Sequence, residues 1–252
     1  MTIKIKSYAI KCKGPRPYME DTYVIAKLNK NMKLLGVFDG HGGASVSEIC
    51  KASFPVILTE SIKWAGGDVN VAIRKTFSLV DQLVEIKQQN YVGSTAAIVL
   101  IDKNKAWFAN AGDSMSMIIT HTGEFKLLSV EHKAESEAER IKSSGGLITY
   151  YDGMGRVNGT LNLSRSIGDH YLKRHVISDP YIHKISLTEV KYIVMASDGI
   201  WDVYNKDQLG QEILTLCKKH SLERVVEMIV DRAYKNGSMD NITLIISVIE
   251  QI

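Results

Sequence analysis

Six short segments of this 252-residue chain set a carboxylate beside glycine, asparagine or a second carboxylate: Glu20-Asp21, Asp39-Gly40, Gly112-Asp113, Gly168-Asp169, Asp198-Gly199 and Asp240-Asn241. Any one of these pairs reads as an ordinary turn whose aspartate bonds nearby backbone. Several together, placed at the ends of apolar runs, point to other chemistry. Asp39 closes the run Leu34 to Phe38 and Asp198 follows Tyr192 to Ala196, so both carboxylates can be presented at one sheet edge. Like charges that close need cations between them. An oxygen-only donor set, without paired cysteines or a His-x-x-x-His element, suits hard ions such as Mg²⁺ or Mn²⁺ and not structural zinc.

Other polar residues carry two readings at this level. Arg16, before Pro17, reads as a surface arginine near a turn, and His41, in a Gly-rich turn, reads equally as a helix cap or an acid–base group. Asp113 and Asp169 read as structural turn residues, and Arg165 as a buried ion-pair partner. Ser94, Thr95 and Ser114 read as hydrogen-bonding scaffold, because no His-plus-Asp arrangement can be argued around them.

The elements that must position these groups are short. Runs rich in Val, Ile, Tyr and Phe predict strands at Leu34 to Phe38, Thr95 to Ile101, Ala106 to Asn110, Met115 to Thr120, Tyr192 to Ala196 and Ile242 to Ile249. Met1 to Cys12, where Lys alternates with apolar residues, reads as a further strand and not as a signal peptide. Asp102-Lys103-Asn104 and His121-Thr122-Gly123 supply tight-turn residues between consecutive runs, which predicts antiparallel pairing and argues against a Rossmann-like sheet. Val69, Ile73, Phe77, Val80 and Val84 share one helical face behind an Asp68 cap. Ala44 to Trp64 forms a partner helix, with a kink or early end expected at Pro55. Leu209, Ile213 and Leu216 after Asn205, and Leu222 to Ala233 after Ser221, predict a second helix pair. Two sheets sandwiched between helix layers is one economical arrangement of these parts.

Composition narrows the class. With 45% hydrophobic and 23% charged residues, 4 Pro and no low-complexity tract, the chain reads as one globular domain spanning 1–252. A balance of 31 Lys+Arg against 28 Asp+Glu offers no footprint for nucleic acid or a charged membrane. Cys12, Cys50 and Cys217 are odd in number and far apart, which suggests no disulfide framework and a cytoplasmic or nuclear setting. No apolar stretch approaches the ~18 residues that span a bilayer.

The residues also carry a family resemblance. Arg16-Pro-Tyr-Met-Glu-Asp21, Phe38-Asp-Gly-His-Gly-Gly43, Gly93-Ser-Thr-Ala96, Asn110-Ala-Gly-Asp-Ser114, Arg156-Val-Asn-Gly159, Ser164-Arg-Ser-Ile-Gly-Asp169, Ser197-Asp-Gly-Ile-Trp-Asp202 and Asp240-Asn-Ile-Thr243 occur in family order. The chain thus resembles a type 2C (PPM-class) metal-dependent protein serine/threonine phosphatase. That resemblance implies an α+β, four-layer sandwich: two packed, mostly antiparallel β-sheets flanked by antiparallel helix pairs. It implies two Mn or Mg ions, with Asp39 shared between them, Glu20 and the Gly40 carbonyl completing one site, and Asp198 with Asp240 completing the other. Asp21 would hold metal-bound waters, Arg16 would grip the phosphate of a phosphorylated protein substrate, and His41 would protonate the departing Ser or Thr oxygen. A monomer is expected.

Departures from the family pattern bear on the periphery. Glu131-His132-Lys133-Ala134 stands where the family has Asp-His-Lys-Pro, so Glu131 is expected to reach, with Asp198 and Asp202, towards a weaker third ion. Residues 170–178 are expected to form a short flap beside the site. A thiol-based phosphatase would need arginine six residues after a cysteine, and a P-loop hydrolase its Gly-x-x-x-x-Gly-Lys-Ser/Thr; neither occurs. The alternative is a pseudophosphatase acting as a binding module. The presence of Glu20, Asp39, Asp198, Asp240, Arg16 and His41 favours a live enzyme.

Overall fold

The structure, a computed structural model, describes residues 3–251. In chain order its first half runs β1 (Ile3–Cys12), β2 (Thr22–Lys27), β3 (Met32–Phe38), β4 (Gly40–His41), α1 (Ser45–Trp64), α2 (Val69–Ile86), β5 (Gly93–Ser94), β6 (Ala96–Asp102) and β7 (Lys105–Ala111). There follow β8 (Met115–Thr120), β9 (Phe125–Leu127), α3 (Ala138–Ser143), β10 (Ile148–Tyr151), β11 (Met154–Val157) and β12 (Ile167–Gly168). The chain closes with β13 (Tyr181–Ser186), β14 (Val190–Ala196), α4 (Asp198–Trp201), α5 (Lys206–Leu216), α6 (Leu222–Lys235) and β15 (Ile242–Gln251).

Two five-stranded antiparallel sheets result, ordered β1-β15-β14-β8-β9 and β13-β7-β6-β3-β2. The inner strands β3, β6, β14 and β15 are almost wholly buried because both of their faces are covered, and the two-residue period of a strand sorts the side chains. Leu35 and Val37 of β3, Val99 of β6 and Phe108 of β7 meet Ile193 and Met195 of β14 and Ile245 of β15 in the core between the sheets. The alternate residues Leu34, Phe38, Ile98 and Leu100 face α1 and α2 through Phe54, Ile73 and Phe77. On the opposite side Met117, Val194, Leu244 and Ile246 face α5 and α6 through Leu209, Ile213, Val225 and Ile229. Short links, 65–68 within the first pair and 217–221 within the second, set the helices of each pair antiparallel.

Local signals account for most of these boundaries. Asp68 accepts from the Val71 N–H at 3.2 Å, Ser221 caps α6, and Asn205 with Gln208 closes a capping box at α5. Pro55 does not end α1, which corrects the expectation of an early end: proline removes one N–H, and the carbonyl it leaves unpaired belongs to the exposed Lys51, where water can satisfy it. The terminal strand begins at Ile3, and Met1 and Thr2 lie outside the described residues. Among the described residues no helix is long and apolar enough to cross a membrane.

Candidate active site

Chain ends of both sheets converge on one edge. Glu20 and Asp21 precede β2 and Asp39 follows β3 in one sheet; Asp198 follows β14 and Asp240 precedes β15 in the other; Asp113 lies where β7 hands over to β8. A cavity of about 540 Å³ opens there, lined by Arg16, Glu20, Asp39, Gly40, His41, Thr95, Asp113, Lys133, Asp198, Asp202 and Asp240, with Met154, Arg156 and Leu161–Leu163 on its rim. A larger groove of about 750 Å³ between α5 and α6 holds one acid, Glu212, already tied to Arg232 and Tyr204, and gathers no comparable chemistry.

Asp39, Asp113 and Asp198 bring carboxylate oxygens within 4.8 Å of one another. Burial, and then the charges of Asp21, Asp198, Asp113 and Asp240, push the Asp39 carboxyl well above the usual carboxylate range. Burial, with Asp113, Asp240 and Asp202, does the same to Asp198, whose Oδ1 is buried without a hydrogen-bond partner. Such a cluster is unfavourable as bare anions, and a set of hard oxygen donors with unsatisfied lone pairs fits divalent cations such as Mg²⁺ or Mn²⁺.

Neighbouring residues fix these acids from behind. Thr95 Oγ1 accepts from the Asp39 N–H at 3.1 Å, the Thr95 N–H returns to the Asp39 carbonyl at 2.8 Å, and Ser94 Oγ donates to that carbonyl at 3.1 Å. Thr95 Oγ1 also meets Ser114 Oγ at 2.7 Å, so the three hydroxyls form a scaffold under Asp39. Asp21 sits behind the cavity wall, where Ser197 Oγ donates to its Oδ2 at 2.8 Å and burial raises its pKa to about 6. Asn241 ties two distant loops together: its Oδ1 accepts from the Glu20 N–H at 2.7 Å, and its Nδ2 donates to the carbonyls of Lys13 (2.8 Å) and Tyr18 (3.0 Å). The Arg16 guanidinium, half exposed, donates from Nη2 to Asp240 and from Nε to the Met239 carbonyl, leaving Nη1 free of those bonds at the cavity mouth.

His41 turns Nε2 to Asp169 Oδ2 at 2.8 Å, and Ser166 Oγ donates to the same oxygen at 2.6 Å. Burial lowers the His41 pKa, but the Asp169 hydrogen bond and charge, with Asp113 and Glu20, outweigh it and leave the imidazole above its ordinary value. Residue 93 must be glycine here, because a β-carbon would overlap both Asp169 Oδ2 and His41 Nε2. Asp169 therefore stands against His41, and Asp113 beside Asp39 and Asp198, where the sequence suggests only turns; the Gly-Asp pair is silent about a partner 128 residues away.

Glu131 does not line the cavity. Its side chain is 50% exposed and lies 3.8 Å from Lys133; Lys133, bridged to Leu163, is the one that lines the site, where it binds Asp113 Oδ2. Asp113 instead occupies the place beside Asp39 and Asp198, and Asp202 stands at the mouth. Residues 170–178 do not line the cavity either; they pack behind Asp169, and the rim belongs to the β10–β11 hairpin and the residues after it. Arg165 is paired with Glu137 at 3.0 Å from Nε and is largely buried.

A two-sheet sandwich that gathers carboxylates from both sheets around one polar cavity presents an oxygen-donor set that could hold divalent ions. The profile of the family described as Protein phosphatase 2C matches residues 6–242. A protein of Oryza sativa subsp. japonica described as "Probable protein phosphatase 2C 45" is 34% identical over 241 residues, covering 92% of this chain and 83% of its own. Among solved structures, one described as a sex determining protein of C. elegans superposes with a TM-score of 0.88 at 27% identity, covering 97% of this chain and 64% of that one. A serine-threonine phosphatase 2C from Toxoplasma gondii shares the fold with a TM-score of 0.85 at 21% identity, covering 98% and 95%. The chain belongs to the protein phosphatase 2C family of serine/threonine phosphatases.

Proposed function

We propose that the chain removes phosphate from phosphoserine and phosphothreonine in proteins, with two Mg²⁺ or Mn²⁺ ions held by Glu20, Asp39, the Gly40 carbonyl, Asp198 and Asp240. The observation that carries this reading is the convergence of buried, mutually repelling carboxylates from both sheets on one cavity. When bound, such a pair of ions lowers the pKa of a water and neutralises phosphoryl charge. Asp113, beside Asp39 and Asp198, is the residue placed to hold any further ion, in preference to the exposed Glu131.

The remaining work falls to side chains. Asp39 and Asp198 are held rigid by the Thr95–Ser94 bonds and the α4 turn, so the charge they present is pre-organised. Arg16, fixed by Asp240 and Met239, offers Nη1 to a phosphate oxygen entering the mouth. His41 keeps Nε2 on Asp169, which leaves Nδ1 as the nitrogen that gives up a proton. As the P–O bond breaks, its electron pair stays on the Ser or Thr oxygen, which takes that proton; the proton lost by the attacking water returns to the imidazole through solvent. The products are the free alcohol and inorganic phosphate.

The test is release of phosphate from a phosphothreonine peptide with and without Mn²⁺, using the wild type and Asp39→Asn. Turnover should require metal and should nearly vanish in the variant. In chelator, Asp39→Asn should melt at or above the wild-type temperature, since it removes one buried anion from the cluster. Wild-type turnover by Asp39→Asn would rule the assignment out.

A further inference from the structure

Behind His41 lies a second group of buried charges that does not touch the cavity. Asp81, on the inner face of α2, accepts at Oδ1 from the Gly168 N–H at 2.8 Å and from Lys173 Nζ at 2.6 Å. Lys173 spends its other two protons on the carbonyls of Ser166 (3.1 Å) and Gly168 (2.9 Å). His170 Nε2 faces Asp81 Oδ2 at 3.6 Å. Every one of these contacts falls on residues 166–173, the stretch that carries Asp169.

That stretch needs holding. Gly168 (φ +86°) and Asp169 (φ +52°) are consecutive left-handed residues, and such a conformation at a residue other than glycine persists only where the surroundings over-determine it. The Asp169 N–H bonds the Val92 carbonyl at 3.1 Å, which sets the backbone beside Gly93, but nothing in that bond sets the peptide on the other side. Asp81 does so by accepting from the Gly168 N–H, and Lys173 holds the Gly168 carbonyl, the other edge of the peptide whose N–H belongs to Asp169. A largely buried ion pair such as this is poor evidence of stability, because well-packed apolar residues of similar volume often serve as well or better. The backbone groups it grips point to a role in conformation instead.

We infer that Asp81 and Lys173 are positioning residues: they lock the Gly168–Asp169 turn so that Asp169 holds His41 Nε2 and aims Nδ1 at the departing oxygen. The inference rests on the reading of His41 as the proton donor, and the experiment separates the two. Asp81→Leu combined with Lys173→Met replaces the pair by apolar side chains. Kinetics are measured on a phosphothreonine peptide, whose alkoxide needs a proton to leave, and on p-nitrophenyl phosphate, whose phenolate does not.

The double variant should stay folded but melt below the wild type, because the Gly168 N–H and the Ser166 and Gly168 carbonyls lose their partners, and should bind Mn²⁺ as the wild type does. Its kcat on the phosphopeptide should fall roughly 10- to 100-fold, the effect of a misaligned catalytic group, with a much smaller loss on the nitrophenyl ester. In a His41→Ala background the same pair of substitutions should cost nothing further, since the two act as one unit. Asp81→Asn with Lys173→Gln, which keeps an acceptor for the Gly168 N–H, should restore most of the phosphopeptide rate. Equal slowing of both esters, an added loss in the His41→Ala background, or no rescue by the polar pair would overturn the inference. If His41→Ala itself slows both esters equally, the proton-donor reading fails and takes this inference with it.

Discussion

Arg16 and Lys133 each set a cation against an acid of the cluster, and the two are not equivalent. Arg16 lies half exposed at the mouth, so its hold on Asp240 is screened by water and easily exchanged for a phosphate oxygen. Lys133 is braced within the wall by its bridge to Leu163, and the Asp113 carboxylate it meets is buried. A cation drawn to Asp113 must therefore displace an ammonium already in place. Lys133→Met should bind a further Mn²⁺ roughly tenfold or more tightly than the wild type, because the competing charge is gone while the neighbouring acids remain. Isothermal titration or equilibrium dialysis reads this directly. Identical stoichiometry and affinity in the two proteins would show that Lys133 does not compete. Asn241 makes a different point at the same scale: with one amide it fastens both the Glu20 backbone and the Lys13–Tyr18 stretch, so it shapes the site without entering it.

At the level of elements, the site depends on the three-stranded sheet β12-β5-β4, whose strands are two residues each. Gly93 pairs with both His41 and Gly168, placing the backbone of β5 between the imidazole and its aspartate partner's turn. No side chain fits there. Gly93→Ala should force Asp169 and His41 apart and lower phosphopeptide turnover towards the level of His41→Ala, a loss of roughly 10² to 10⁴. Mn²⁺ affinity should hold, since the Asp39–Thr95 bonds lie one residue beyond. Turnover and metal titration on one sample decide it, and a variant that lost metal but kept its leaving-group dependence would contradict the placement. These short strands, like the β10–β11 hairpin, left no periodic signal in the sequence: two to four residues span no more than two periods of a strand. The long elements did, and their caps at Asp68, Asn205 and Ser221 marked the helix starts because capping is a contact between neighbours in the chain.

Across the whole molecule, the carboxylates come from two sheets that pack face to face through the core between them. Phe108→Ala empties part of that core, and Phe77→Ala empties part of the outer one against α1. Both should cost about 3–5 kcal/mol in urea denaturation. Phe108→Ala should also weaken Mn²⁺ binding measurably more than Phe77→Ala, because it loosens the register between the sheet carrying Asp39 and the sheet carrying Asp198. Equal metal affinity in the two variants would detach the site from the sheet-to-sheet packing. What is local was legible in the chain: the strand and helix runs, the apolar faces of the helices, and the placement of Glu20, Asp39, Asp198 and Asp240 at the ends of apolar segments. It takes the folded chain to set Asp113 among the acids while Glu131 faces out, to bring Asp169 to His41 across 128 residues, and to let Ser197 and Asn241 hold the loops. Periodicity and capping are encoded within a few residues of where they act, whereas these contacts arise from how two sheets register against each other, and no short stretch of chain carries that information.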